Sequence, residues 1–368
     1  MNHLIDTQEA LDGLSELLSN IEHDAGFVAV DTEFFRERTY HAKLCLVQLG
    51  IGEHQYCIDV LSINDLTLLV ELFANENVTK IFHAARQDLE VIYETLNIIP
   101  KPIFDTQLAG AFFGVDMQIG YAAFVELILD IKLDKSQGRT DWTKRPLSEA
   151  QIKYAGDDVA YLGAIYQYAL SCLNNENKEN WYFEEIQINY NPDSFFVTPE
   201  NAYKRLYGGA LKPKQQTILK ELAGWREATA KKNNIPRTWV CRDDKLFDLA
   251  IKQPSSKDQL FKMQVFNKKI SIPVADELLD LIANTESSDE LIWKNVEPLT
   301  KLEKGYCTQM MKQLSSISKQ ENVAQALLAT RKDIESLFRN RRSTKLLNGW
   351  REEVVGKPLL DFLADKAA

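Results

Sequence analysis

The 368-residue chain lacks most of the features that mark a specialised class. Its five cysteines, Cys45, Cys57, Cys172, Cys241 and Cys307, are odd in number and widely spaced with no C-x-x-C pair, which argues against a disulfide framework and a structural zinc site. They read as small buried hydrophobes. With 16 Gly and 11 Pro the chain is neither fibrous nor low-complexity. No stretch approaches the roughly 18 apolar residues of a membrane span, and Met1 to Leu14 is polar and acidic where a secretory leader is basic and then apolar. The expectation is a cytoplasmic protein of a reducing compartment, with no membrane partner. There is no Walker-A lysine motif, so a phosphate-loop helicase is excluded. What remains is ordinary globular usage, 45% hydrophobic, 26% charged and 10% aromatic. Domains usually hold about 100–200 residues, so two or three are expected.

Charge is present but unevenly placed. The chain carries 43 Lys and Arg against 53 Asp and Glu, net −10, which taken whole points away from a nucleic-acid partner. Residues 1–200 hold 13 basic against 32 acidic side chains, net −19, and residues 201–368 hold 30 against 21, net +9. The basic excess peaks in 201–285, with 16 against 9. An acidic front half thus precedes a basic back half suited to phosphate.

The first third alternates strand-like and helix-like segments. Phe27 to Val30, Leu44 to Leu49 and Tyr56 to Val60 are short apolar runs close in sequence, which reads as an antiparallel meander. A helical period follows from about Leu66, then a strand at Lys80-Ile81-Phe82 and helical patterns near Leu89 and Leu108. One long helix is expected from Ser148, with Glu149 and Gln151 in its first turn, towards Leu170. The domain reading is an α/β domain over 1–173 with a mixed sheet flanked by helices, a linker over 174–211, and helical bundles over 212–287 and 288–368.

Asp31-Thr32-Glu33 closes the first strand, and residues at i and i+2 of a strand project from one face. Two carboxylates thus point one way. A D-x-E triplet occurs by chance in a chain this long, and a solvated strand-end pair is the plain alternative. Asp88 lies just past Phe82-His83, near the first turn of a helix, where an acid also serves as a dipole partner. Tyr154 and Asp158 are four apart on the long helix and share a face, while Asp157 is rotated about 100° away towards solvent. Four carboxylates and one phenol are hard oxygen donors that suit Mg²⁺ or Mn²⁺ and suit Zn²⁺ poorly. Two such ions can activate a water and stabilise the leaving oxygen in phosphodiester hydrolysis.

Residues 27–162 resemble the DEDD exonucleases of the ribonuclease-H-like fold. Val30-Asp-Thr-Glu-Phe34 is the first motif, His83 to Asp88 the second and Tyr154-Ala-Gly-Asp-Asp158 the third. The histidine subtype places His five residues before the last Asp, where this chain has Lys153, so the tyrosine subtype is indicated. The longer run from Leu133 to Trp142, then Arg145-Pro-Leu147, Gln151, Asp158-Val159 and Tyr161-Leu162, resembles the ribonuclease D family more specifically. Leu222, Trp225-Arg226, Ala230, Pro236, Val240, Asp244 to Leu246, Leu249-Ala250 and Pro254 resemble an HRDC nucleic-acid-binding domain. Ala326 to Arg331, Ile334-Glu335 and Leu347 to Arg351 look like a second, divergent copy.

The resemblance implies a 3′-to-5′ exoribonuclease releasing nucleoside 5′-monophosphates with two divalent metal ions, Mg²⁺ or Mn²⁺. It further implies that Asp31, Glu33 and Asp158 hold the metal next to the attacking water and that Asp31 and Asp88 hold the other. Tyr154 would position the nucleophile, and Phe34 and His83 would contact the terminal nucleotide, with core packing and a satisfied loop histidine as the alternatives for those two. Implied partners are tRNA precursors and other structured RNAs with single-stranded 3′ tails, with no required protein partner. Two other functions share the motifs: a stand-alone DNA exonuclease, and a catalytically silent RNA-binding protein. No expected carboxylate is missing, which opposes silence.

Overall fold

The computed structural model describes every residue except 25, 135, 139, 193–195, 266–272, 289, 341–344 and 368. It divides into two compact units: Met1–Phe35, Lys43–Ser194 and Leu299–Ala368 make the first, and Arg36–Ala42 with Phe195–Pro298 the second.

The first unit is built on a six-stranded mixed sheet of order β1-β4-β3-β2-β5-β6. The strands are β1 (Asn2–Ile5), β2 (Phe27–Phe35), β3 (Lys43–Ile51), β4 (His54–Ile58), β5 (Thr79–Phe82) and β6 (Ile103–Asp105). The meander of β2, β3 and β4 is antiparallel as its close spacing leads one to expect, and β5 and β6 add in parallel on the other side of β2. One reading of this region is corrected. Asp31-Thr32-Glu33 lies inside β2 and not at its end, because the long apolar β3 goes on pairing with it as far as Phe34 opposite Leu44 and Phe35 opposite Lys43. The N-terminal residues form an edge strand parallel to β4, too short for period-2 patterning to show.

The expected long helix is also two helices. Glu149–Ala160 begins with a capping box between Ser148 and Gln151, then stops at Tyr161, and Leu162–Asn175 follows. The break has an identifiable cause: the Tyr121 hydroxyl donates to the Asp157 carbonyl (3.1 Å) and accepts from the Tyr161 amide (3.1 Å). A side chain therefore occupies the rung that these two backbone groups would otherwise share.

Residues 174–211 contain ordered structure. The helix Glu179–Asn189 buries Tyr182 completely. The apolar-periodic run after Leu299 forms the helices Lys301–Gln320, Gln325–Leu328, Arg331–Asn340 and Lys357–Ala367. Their buried Cys307, Met310, Leu328 and Ile334, with Trp350 from the segment before the last helix, share one core with Phe104, Phe112 and Tyr182. Polar groups inside this core are matched. Lys178 Nζ donates to the carbonyls of Phe112 (2.8 Å) and Glu321 (2.5 Å), and Glu185 accepts from Trp350 Nε1 (3.2 Å) and pairs with buried Arg351.

In the second unit the helices Pro213–Lys232, Arg237–Val240, Asp243–Lys252, Lys257–Lys262 and Pro273–Asn284 enclose Leu222, Trp225, Ala230, Val240, Leu246 and Leu249. The opening helices of this bundle are 20, 4 and 10 residues long, and those that follow Leu299 are also 20, 4 and 10. Among the described residues no helix is long and apolar enough to cross a membrane.

Because Arg351 is buried with Glu185 as its carboxylate partner, removing one member strands a charge. Glu185→Ala should destabilise the first unit by about 3–5 kcal/mol. Equilibrium denaturation measures this, and an unchanged midpoint would show that the pair is incidental.

Candidate active site

Strand β2 is hydrogen-bonded to β5 over Phe27–Ala29 and to β3 from Ala29 through Asp31 and Glu33 to Phe35, so its backbone is a firm support. Asp31 and Glu33 project from the face that also carries Ala29. A helix comes unusually close to that face. A Cβ added to Gly50, which pairs with Ala29, would lie 2.8 Å from the Val159 carbonyl. Glycine at 50 therefore lets Glu149–Ala160 sit directly on the sheet. Its Asp158 thereby reaches the strand: carboxylate oxygens of Asp31, Glu33 and Asp158 lie within 4.8 Å of one another.

Asp88 arrives from a different direction. It lies in the first turn of Arg86–Leu96, is buried, and accepts from Thr32 Oγ1 at 2.5 Å. It is outside the group of three but within electrostatic reach of Asp31, Glu33 and Asp158. The turn leading to it is held by Asp105, a buried carboxylate that accepts from the amides of Ala84 and Ala85 (both 3.1 Å), Gln107 (2.8 Å) and Leu108 (3.2 Å) and from the Tyr190 hydroxyl. Ala84 sits at φ +62°, a strained value for a residue with a Cβ, and Asp105 holds it there.

Tyr154 hydrogen-bonds Asp158 one turn along the same helix. The helix itself is seated by the run that precedes it. Arg145 pairs with buried Asp59 through Nε (2.5 Å) and Nη2 (2.6 Å), and also donates to the carbonyls of Cys45 (3.0 Å) and Trp142 (2.7 Å). Asp157 is apart from the group, paired with exposed Lys153.

The electrostatics follow from burial and crowding. Burial, then the charges of Asp88, Asp158 and Glu33, hold the Asp31 carboxyl well above the usual carboxylate range. Burial, with Asp158 and Asp88, pushes Glu33 up to about 9. Burial likewise raises Asp88 and Asp158 to about 7 each, against the opposing hydrogen bonds from Thr32 and Tyr154. Burial and the neighbouring carboxylates push the Tyr154 phenol above its ordinary value. Among the described residues no Lys or Arg forms an ion pair with any of the four acids. A crowded set of oxygen donors with no protein cation is chemically matched to a divalent metal.

The two remaining expected residues fare differently. Phe34 is half-buried on β2, where the register shifts between Glu33 and Phe34. His83 has both ring nitrogens engaged, Nε2 donating to the Ile119 carbonyl (2.8 Å) and Nδ1 bonded to Thr106 Oγ1 (2.9 Å). Thr32, Asp105 and Tyr121 were passed over in the sequence. Thr32 stands between the two motif acids, but the roles of Asp105 and Tyr121 are set by partners 20 or more residues away.

A 3′-5′ exonuclease family model matches residues 2–172, and an HRDC domain model matches 215–282. Ribonuclease D of Jannaschia sp. is 36% identical over 351 residues, covering 93% of this chain and 91% of that protein. Ribonuclease D of Bartonella henselae is 32% identical over 350 residues, covering 93% of this chain and 86% of that one. The chain belongs to the ribonuclease D family. The crystal structure of Escherichia coli ribonuclease D matches with a TM-score of 0.83 at 29% identity, covering 99% of both chains. As a member of the ribonuclease D family the chain is a hydrolytic 3′-to-5′ exoribonuclease with an α/β exonuclease domain and a C-terminal HRDC domain; the exonuclease family is metal-dependent, and the acid cluster fits a divalent ion.

A titration test follows. In cation-free protein the raised carboxyls bind more protons folded than unfolded, from the ordinary carboxylate range up to about 9. Their contribution to stability is therefore greatest at low pH and falls as pH rises through that window. At pH 8, millimolar Mg²⁺ should raise the melting midpoint, and Glu33→Gln should flatten the pH slope of the cation-free protein. A midpoint indifferent to Mg²⁺ would contradict a cation site here.

Proposed function

We propose that this enzyme trims single-stranded 3′ tails from structured RNAs, tRNA precursors among them, releasing nucleoside 5′-monophosphates with two divalent ions, Mg²⁺ or Mn²⁺. The observation that carries the reading is the convergence of Asp31, Glu33 and Asp158 within 4.8 Å, with Asp88 facing Asp31 from a separate helix. Asp31, Glu33 and Asp158 would hold one ion, and Asp31 and Asp88 the other. When bound, such ions lower the pKa of a water and stabilise the leaving oxygen.

The side chains of the chain supply the orientation. Tyr154 keeps its proton on Oη, hydrogen-bonds Asp158, and directs the attacking water. Thr32 Oγ1 fixes one oxygen of Asp88. Phe34, at the shift in register next to Glu33, is placed to stack on the terminal base. We assign His83 to support of the loop, since its two nitrogens are already engaged.

The basic HRDC unit would hold the phosphate backbone outside the site. Equal helix lengths support reading 288–368 as a divergent second copy beside 1–173, 174–211 and 212–287. All five cysteines are free thiols, which fits a reducing cytoplasm.

Asp31→Asn and Asp158→Asn should each lower turnover by about 10³-fold or more, the loss expected when several kcal/mol of charge stabilisation goes, while the fold is retained. Tyr154→Phe should lower kcat by about 10²-fold with KM little changed. The decisive assay incubates the protein and Mg²⁺ with a tRNA precursor, a single-stranded RNA and the equivalent DNA. Mononucleotides released from the 3′ ends of RNA, with the tRNA product stopping at its acceptor stem, are expected. Equal degradation of DNA would redirect the reading to a DNA exonuclease, and unchanged turnover in the Asn variants would remove the metal assignment.

A further inference from the structure

Seven consecutive residues of β3, Leu44 to Gly50, are buried, and Gln48 is the sole amide side chain among them. It is fully buried, and neither Nε2 nor Oε1 has a hydrogen-bond partner among the described residues. A buried unpartnered polar group is destabilising, and Gln48 carries two. An apolar side chain of the same volume would avoid that cost.

The register shows what Gln48 faces. It lies directly opposite Asp31 on β2 and opposite Cys57 on β4. Residues directly opposite in an antiparallel pair project from the same face, with Cβ atoms about 4.5–5.5 Å apart. That face is the one on which Gly50 admits the helix bearing Tyr154 and Asp158. The Gln48 amide is therefore enclosed in the same row as the acids. Cys57, on its other side, has its Sγ directed to the Ile152 carbonyl at 3.7 Å.

We propose that Gln48 is a positioning residue for the metal site: with a cation held by Asp31, the otherwise unpartnered side-chain N–H turns to donate to Asp31 and fixes which carboxylate oxygen faces the ion. This rests on the reading of Asp31 as a ligand. A carboxylate that gives one oxygen to a metal retains acceptor capacity on the other, and a neutral amide donor satisfies it without competing for the ion. A Lys or Arg at 48 would supply donors too, but its charge would repel the cation.

The test uses full-length protein without RNA. Mn²⁺ affinity is measured by calorimetry for the parent, Gln48→Met, Gln48→Leu and Asp31→Asn, and kcat and KM are then measured on a single-stranded oligoribonucleotide. Removal of such an outer partner lowers metal affinity or activity by about 10–100-fold. Gln48→Met and Gln48→Leu should therefore bind Mn²⁺ at least about tenfold more weakly and lose kcat with KM for RNA unchanged. Their melting midpoints in cation-free buffer should be equal to or above the parent's, because the unpartnered amide is gone. If Asp31→Asn weakens Mn²⁺ and both Gln48 variants bind it as the parent does, Gln48 only packs and the proposal fails alone. If Asp31→Asn itself leaves Mn²⁺ binding intact, the ligand assignment beneath it fails. Loss of the fold in both Gln48 variants would show that the amide serves the core, which also overturns the proposal.

Discussion

Mutual repulsion among the carboxylates of Asp31, Glu33, Asp88 and Asp158 is the constraint to which the rest of the first unit answers. Left to themselves, side chains bearing like charges would turn apart, and burial makes the repulsion stronger than it is in water. The site therefore needs a support that cannot relax. Strand β2 provides one half, because β5 fixes its start and β3 pairs it through Asp31 and Glu33. The other half is the helix Glu149–Ala160, anchored at one end by the Arg145–Asp59 pair beneath the preceding loop and at the other by the Tyr121 hydroxyl. Gly50 allows the two halves to approach. Asp88 depends on a third support, the Asp105 carboxylate that holds the turn at Ala84 and Ala85. Each device is inexplicable as core packing alone and becomes necessary once four acids have to converge.

The same constraint gives meaning to the uneven charge. A net of −19 over residues 1–200 would repel a polyanion, and the +9 of residues 201–368 opposes this. The two halves act at different ranges. Counter-charge spread over helical surfaces attracts backbone phosphates over roughly a Debye length, about 8–10 Å at moderate salt. Charge within the acid cluster is neutralised by protons or by an ion that enters it. A chain with basic side chains placed among the acids would lack the second control, since its carboxylates would be permanently paired.

Legibility in the sequence followed the range of the interactions involved. The meander, the strand at Lys80 to Phe82, the capping box at Ser148 and the five motif side chains were readable because spacing of two or four residues specifies a face, and caps declare themselves within three residues. The end of β2 was misread because the partner strand decides how far pairing extends. The break at Tyr161 was invisible because its cause, Tyr121, lies 40 residues upstream. Gln48 reads in sequence as one polar residue in an apolar strand, and its significance appears only when the register sets it opposite Asp31. Local pattern thus discloses which residues can do chemistry, while the supports that make them do it are non-local.

Repetition and compactness divide the back half differently, and the difference is physically instructive. The opening helices of the bundle from Pro213 and of the one from Lys301 share lengths of 20, 4 and 10 residues. Contacts, however, join the later bundle to the sheet unit. Its Trp350 stacks on Trp181 with ring centroids 4.9 Å apart, and its Arg351 completes the environment of Glu185. A detachable binding domain would present polar side chains on that face. Burying Cys307, Met310 and Ile334 against the exonuclease core has instead made the later bundle part of what keeps the catalytic unit folded. Basic side chains outnumber acidic ones 16 to 9 over residues 201–285, whereas residues 286–368 hold 14 against 12. The near balance of charge in the later module is what a structural partner requires, since a strongly basic surface would be drawn towards the acid cluster whose repulsion metal should relieve.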